Sequence, residues 1–448
     1  MNTPICDFVR SYARQSTLRL HMPGHKGMGP LGVEDMDITE IAGADSLYEA
    51  GGIIRESEDN ASRLFGCATF YSTEGSSLAI RAMLYLALLR GRQQGQAPLV
   101  LAGRNAHKTF LSAAALLDLD VQWLRGEQPD SYLCCALTPE IVESALAAAP
   151  VKPFAVYITS PDYLGNTVDI SGIASVCHRH GALLLVDNAH GAYLRFLPES
   201  RHPIDLGADM CCASAHKTLP VLTGGAYLHI SPAAPRLFVQ QAKNALALFG
   251  STSPSYLILA SLDAANRVLA GGYRDTLAAF CRQTEQLKSD LQSRGFALYG
   301  DEPLKMTIAA RIWGYTGQEF ARLLLDAGIV VEFADPDFVV MMLTPETGPD
   351  GLVRLKNALF AIPRREAIYT NPPVSSVPER VLRIREALFS ASEEVPMEES
   401  LGRVLAAATV GCPPAVPIVV CGERIDEHAI RCFEYYGIEL CCVVANKK

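Results

Sequence analysis

Gly181-Ala-Leu-Leu-Leu-Val-Asp187-Asn188-Ala189-His190-Gly191 begins as an uninterrupted apolar run and ends abruptly in polar groups. A short run without alternation is expected of a strand covered on both faces, as in the parallel sheet of an α/β protein. Asp187 would close that strand, at the end where open α/β sheets place their ligands. A carboxylate at the end of an apolar run is costly unless something cationic meets it. Alone, Asp187 would serve equally well as a cap for the next turn.

Outward from this run, further apolar stretches predict strands over residues 98–102, 154–159, 208–213 and 225–230. Helical stretches at 139–149 and 171–180 fit between them, and a long helix is predicted over 255–270. Strands alternating with helices indicate α/β architecture. After about residue 300 the pattern becomes strand 305–313, helix 317–327, strand 329–333 and strand 338–343, a smaller α+β unit. A last strand at 416–420 and a short helix follow. The expected organisation is an arm over 1–25, a large domain over 26–300 and a C-terminal α+β domain over 301–448. A linker at about 362–378 is marked by Pro363, Pro372, Pro373 and Pro378.

The bulk properties narrow the function. Of 448 residues, 49% are hydrophobic and 19% charged, enough apolar material for a substantial core rather than disorder. Basic minus acidic residues, 39 − 48, gives −9, without the clustered Lys/Arg of a nucleic-acid surface. The first residues lack the apolar core of a secretory signal, and no apolar run is long enough to span a membrane. Thirteen cysteines include three adjacent pairs but no CxxC, so they are expected as buried thiols in a reducing cytoplasm. No metal site is expected: His178 and His180 lack a third ligand nearby. Gly27-Met28-Gly29-Pro30-Leu31-Gly32 matches GxGxxG in form, but with no strand before it and Pro30 inside it reads as a glycine-rich loop.

Asp187 does not stand alone. Thirty residues on (217 − 187), another strand ends in Ser214-Ala215-His216-Lys217. Two strand ends in one sheet can bring Asp187 and Lys217 to one crevice, the pairing that pyridoxal 5'-phosphate chemistry requires. The lysine forms a Schiff base with the aldehyde, and the aspartate keeps the pyridine nitrogen protonated. Gly75-Ser76-Ser77, before a helix expected to begin near Leu78, offers N–H groups and hydroxyls to a phosphate, as do Ser214 and His216. Simple N-capping is the competing reading of Ser76 and Ser77. His107, in the loop after strand 98–102, is placed to stack on a flat ring.

With these residues in view, the chain resembles the Orn/Lys/Arg decarboxylase family, bacterial fold-type-I pyridoxal-phosphate enzymes. The resemblance is carried in order by His21-Met22-Pro23-Gly24-His25-Lys26-Gly27, Asp37 to Leu47, Gly75-Ser76-Ser77 and Asn105-Ala106-His107-Lys108. It continues through Val186 to Gly191, Ser214 to Lys217, Ser251 to Tyr256, Pro413-Pro414-Ala415-Val416-Pro417 and Gly422-Glu423. It implies a fold-type-I large domain with a mostly parallel sheet and a smaller α+β domain. The reaction implied is decarboxylation of arginine, lysine or ornithine, as in polyamine biosynthesis, by a homodimer with active sites at its interface.

Position by position, the resemblance implies Lys217 as Schiff-base lysine, Asp187 as pyridine partner, His107 stacked on the ring and His190 beside it. Gly75, Ser76, Ser77, Ser214 and His216 would hold the phosphate, with Ser251 and Thr252 reaching that of the neighbouring subunit. Asp45 and Glu332 would face the substrate. Two departures stand out: the usual Asp-Glu-Ala-His reads Asp187-Asn188-Ala189-His190, and Pro-Thr-Tyr-x-Gly reads Pro161-Asp162-Tyr163-Leu164-Gly165. About twenty residues before His21 leave no room for the N-terminal wing domain of larger members, so a short form is expected. A cationic substrate calls for an acidic pocket, for which Asp45, Glu74, Asp162 and Glu332 are candidates. The residues themselves leave open an aminotransferase of the same fold, or a non-catalytic regulator. Retention of Lys217 and Asp187 argues against the regulator.

Overall fold

The structure is a computed structural model that describes residues 1–126, 131–369, 372–373, 378–411 and 414–446. Strands run Ala68–Ser72 (β1), Leu99–Gly103 (β2), Asp120–Leu124 (β3), Ala155–Thr159 (β4), Leu183–Asp187 (β5), Met210–Ala213 (β6) and Ala226–Ile230 (β7). Later come Leu298–Tyr299 (β8), Lys305–Ala309 (β9), Phe333–Ala334 (β10), Phe338–Met342 (β11), Ser392–Pro396 (β12) and Leu440–Val444 (β13). The chain divides into two compact units, one of Met1–Gly95 with Gly181–Ala278, the other of Gln96–His180 with Ala279–Lys448. Within them the architecture is α/β, a large mostly parallel sheet with a smaller antiparallel one.

In the first unit the strands order β1-β7-β6-β5, with β5 and β6 parallel and β7 antiparallel to both neighbours. β5, β6 and β7 are buried along their whole length, which is why their sequences lack alternation. The helix Gly75–Gln93 is buried over most of Leu78 to Leu88, an apolar surround expected of a helix enclosed by other elements. The amino-terminal helix Pro4–Ala13 is tied down by Asp263: its carboxylate accepts from the Cys6 N–H at 2.9 Å and from Ser57 Oγ at 2.6 Å. Ser57 and Asn266 in turn hold the Tyr71 hydroxyl at 2.8 Å each. Burying these polar groups is tolerable because most of them satisfy one another; Asn266 Oδ1 has no hydrogen-bond partner among the described residues.

In the second unit β4, β2 and β3 are parallel and carry the helices Lys108–Leu117, Pro139–Ala148 and Ile170–Arg179. A four-stranded antiparallel sheet orders β10-β11-β9-β8, and β12 pairs with β13. A capping box at Thr316 and Glu319 starts the helix Gly317–Asp326.

Several boundaries differ from expectation. No strand forms over residues 416–420: Pro417 lacks an N–H, and the Val420 N–H donates to Glu423 Oε2 at 2.7 Å instead of to a ladder. The strand expected over 305–313 stops at Ala309 and tightens into a 3-10 turn, Ala310–Trp313. The one expected over 329–333 shortens to β10, because the Ile329 N–H returns to Leu324 O and closes the preceding helix. The glycine-rich loop over 27–32 lies outside helix and strand. Of the proline-rich stretch 362–378, residues 370–371 and 374–377 lie outside the described residues, as does Pro413. Among the described residues every cysteine is free, and only Cys281 and Cys442 are not fully buried. No described helix is long and apolar enough to cross a membrane, and no described cluster of His, Cys, Asp and Glu could hold a metal.

Candidate active site

Lys217 lies in the one-turn helix Ala215–Thr218 that follows β6, and His190 in the turn that follows β5. Parallel pairing of these adjacent strands puts both turns at the same sheet end, and Lys217 Nζ stands 3.0 Å from His190 Nε2. With the lysine as ammonium, the imidazole accepts at Nε2 and carries its own proton on Nδ1.

The His190 turn is fixed by Asn188. Its N–H donates to Cys212 O at 3.0 Å, prolonging the β5–β6 pairing, and its Nδ2 donates to Gly191 O at 3.1 Å. Asn188 is fully buried, so an amide here positions the turn without the cost of a buried charge. Asp187 is 2% exposed, and its Oδ1 accepts from the Ala189 N–H at 3.2 Å and from Cys212 Sγ at 3.4 Å. Burial pushes the Cys212 thiol up, and the Asp187 charge adds to it, so Cys212 stays a thiol and a donor. The register Asp187↔Cys212 makes this contact. Cys212 and Asn188 were the residues sequence reasoning passed over as contributors; the paired cysteines were visible, but the register that aims one at Asp187 was not.

A second feature is built from Gly75 and its successors. The helix begins at Gly75 rather than near Leu78, placing Ser76 and Ser77 in its first turn, where N–H groups have no acceptor within the helix. Gly75 has φ +69°, and a Cβ there would meet nothing within 4 Å. Its N–H donates to Gly224 O at 2.7 Å; a Cβ on Gly224, at φ +99°, would lie 2.8 Å from Thr73 O, so the two loops approach as only glycine permits. Ser214 Oγ donates to Ser76 Oγ at 2.9 Å, bringing the two serine-bearing turns together. His216 Nδ1 lies 3.0 Å from Gly225 O, an acceptor, so the ring proton sits on Nδ1 and a neutral His216 offers only an acceptor at Nε2. Burial lowers the His216 pKa and the Lys217 charge adds to this, against the Gly225 carbonyl that favours the proton.

The remaining candidates are placed as follows. Ser251 and Thr252 are exposed, and the Ser251 N–H donates to Glu74 Oε1 at 2.6 Å. Asp45 accepts from the N–H groups of Ser46, Gly51, Gly52 and Ile54 at 2.8 to 3.1 Å, the last of these in the first turn of the helix Ile53–Phe65. Burial pushes its carboxyl up, but these backbone donors outweigh burial and hold it below the usual range. His107 and Glu332 belong to the second unit. His107 caps Lys108–Leu117, its Nδ1 accepting from the Thr109 N–H at 3.2 Å. Glu332 is exposed and accepts from Tyr163 OH at 3.2 Å. Asp162 instead ties its own turn, accepting from the N–H groups of Leu164 and Asn166 and from Asn166 Nδ2 at 2.8 to 2.9 Å.

An amine, a buried carboxylate and hydroxyls at a helix start, all within the first unit, are the groups that an aldehyde, a pyridine nitrogen and a phosphate ester would need. Comparison with known proteins agrees in kind. Family models described as "Orn/Lys/Arg decarboxylase, major domain" and "Orn/Lys/Arg decarboxylase, C-terminal domain" match residues 3–298 and 369–440. The chain is 30% identical to the uncharacterized protein YaaO of Bacillus subtilis, over 96% of this chain and 93% of that one. It is 29% identical to an arginine decarboxylase of Halalkalibacterium halodurans, over 95% and 91%. The lysine decarboxylase LdcF of Francisella novicida superposes with a TM-score of 0.79 over 99% of this chain and 81% of that one, at 17% identity, and so shares the fold.

Proposed function

The chain belongs to the Orn/Lys/Arg decarboxylase family, and from that premise we propose that it decarboxylates a basic amino acid with pyridoxal 5'-phosphate as cofactor. Arginine is the first substrate to try, given the arginine decarboxylase at 29% identity. The observation that carries the reading is the pairing of Lys217 with His190 beside a strand end closed by the buried Asp187.

When bound, the cofactor would supply an electron sink for the pair left behind by carbon dioxide. Lys217 is its covalent anchor in this reading, and Asp187 the partner of the pyridine nitrogen, kept in place by the Ala189 N–H and the Cys212 thiol. Ser76, Ser77 and Ser214 bind the phosphate at the helix start, where the dipole favours an anion. His216 joins them only as imidazolium, a state that a phosphate dianion would itself favour. After loss of carbon dioxide a proton must reach the former α-carbon, and Lys217 and His190 hold one between Nζ and Nε2. In this reading His107 stacks on the ring, and Glu332 with Tyr163 OH meets the distal cationic group. The carboxylates of Asp45 and Asp162 are already engaged by backbone donors.

A homodimer fits the same reading. Leu18, Leu20, Met22, Met28 and Leu31 are each at least 67% exposed in the single chain, a run of large apolar side chains that a partner would cover. Ser251 and Thr252, exposed here, would then face the partner's phosphate.

Purified protein loaded with the cofactor should release one carbon dioxide per amine from arginine, lysine or ornithine. Formation of a keto acid instead would make it an aminotransferase. If Lys217→Ala leaves the visible absorbance of the bound cofactor unchanged, the anchor is wrong.

A further inference from the structure

The second unit holds a cavity of about 130 Å³ that plays no part in the site above. Asp335, Tyr132, Tyr436, Phe333, Gln318 and Ile418 are among its walls. Asp335 is 4% exposed. Its Oδ1 accepts from the N–H groups of Asp337 and Phe338 at 2.8 and 2.7 Å, while its Oδ2 is buried with no hydrogen-bond partner among the described residues. The nearby cation does not serve it: Arg311 Nη1 is 2.9 Å from Asp337 Oδ1, which also accepts from Tyr435 OH at 2.6 Å. Two carboxylates against one guanidinium leave one surplus negative charge in a buried cluster. Burial raises the Asp335 carboxyl to about 6, with the Asp337 charge adding and the two backbone donors opposing, which leaves it mostly ionised at neutral pH.

Part of the lining is aromatic. Tyr132 and Tyr436 pack edge to face with centroids 4.8 Å apart, and Phe333 lines the same space. A buried carboxylate whose charge reaches Tyr132 and Tyr436, in a cavity lined by aromatic rings, suits an organic cation: the acid meets its charge, and its alkyl surface and charge both favour π-faces. An anion would meet the surplus negative charge, and a neutral molecule could donate to the carboxylate but would leave its charge uncompensated. The volume is close to that of a cavity that holds benzene, room for about five or six heavy atoms.

We propose that this cavity binds the ammonium end of a small alkylamine, with Asp335 Oδ2 accepting from the ammonium and Tyr132, Tyr436 and Phe333 enclosing it. The proposal does not rest on the catalytic reading above.

Calorimetric titration of the full chain with n-butylammonium chloride tests it, run in a Lys217→Ala background to suppress occupancy at the proposed active site. Saturable binding is expected, weakened at least about tenfold by Asp335→Asn, as loss of a charge-assisted hydrogen bond requires. The asparagine oxygen can still accept from the Asp337 and Phe338 N–H groups, so an unchanged melting temperature is expected of the variant. n-Butanol, the neutral analogue, should bind at least about tenfold more weakly. No saturable binding of butylammonium, equal binding by the Asp335→Asn chain, or butanol binding as well as the ammonium would each overturn the proposal.

Discussion

Lys217 Nζ and His190 Nε2 stand 3.0 Å apart, although 27 residues separate them in sequence, because each follows a strand of the same parallel pair. A proton can pass between the two nitrogens without either side chain moving far. His190→Ala should therefore lower kcat by about 10²- to 10⁴-fold, the usual contribution of a positioned acid–base group. The cofactor should remain bound, as its visible absorbance after gel filtration would report.

Ser214 donates to Ser76, so in the proposed site the two hydroxyls would act as one unit toward the phosphate. Ser76→Ala and Ser214→Ala should each weaken cofactor retention about tenfold, the scale of a hydrogen bond to a charged group. The double variant should lose less than the product of the two, a coupling that equilibrium dialysis of the cofactor would measure.

Asp45, though remote in sequence from the N-cap residue Gly52, accepts from N–H groups at the start of Ile53–Phe65. Asp45→Ala should cost about 1–2 kcal/mol in urea unfolding, and the KM for the amino acid should change little. A large rise in KM with unaltered stability would instead mark Asp45 as a substrate contact.

Glu58 is 2% exposed and pairs with Lys243 Nζ at 2.5 Å. Burial raises the Glu58 pKa and the Lys243 charge opposes that rise. Removing the amine in Lys243→Met should cost about 3 kcal/mol by leaving a buried charge unpaired. A carboxyl with a raised folded pKa binds its proton more readily folded than unfolded, so stability falls as pH rises through that range. The deficit of the variant should therefore be larger at pH 8 than at pH 5, as urea titrations at the two values would show.

His202 and His229 are buried with rings 4.9 Å apart. Burial lowers both, His202 to about 4, with Asp205 opposing and Arg195 adding for His202. Unfolded, each would take a proton near 6.5, so the unfolded chain binds more protons below that value and stability is lost as pH falls from 6.5 towards 4. Each histidine should contribute a slope of about 1.4 kcal/mol per pH unit in that window. Unfolding midpoints of a His202→Leu chain should show a shallower dependence on pH.

Much of the architecture was legible because buried parallel strands declare themselves: the runs ending at Asp187 and Ala213 needed no partner to be recognised. Edge and two-residue strands did not. β12, Ser-Glu-Glu-Val-Pro, is largely exposed and forms only because β13 pairs with it, information that lies 48 residues away (440 − 392). At the candidate site, residue types alone were enough to single out Lys217, Asp187 and the serines. The engagement of Asp45 and Asp162 by backbone N–H groups depends on loop geometry, which composition does not encode. The contact of Cys212 with Asp187 depends on register in the same way.

β7 runs against its neighbours in an otherwise parallel arrangement, pairing Ser72 with Ala226 on β1 and Ala213 with Tyr227 on β6. The loop that bears Lys217 ends where β7 begins, and the turn that bears Ser76 begins where β1 ends. The span from the Lys217 amine to the proposed phosphate site is therefore gauged by a ladder of hydrogen bonds, as on a ruler. A slip of one residue in that ladder would change the span by about 3.4 Å, more than a hydrogen bond can bridge. In the proposed site, the reversed strand would thus fix how far apart the two ends of the cofactor are held.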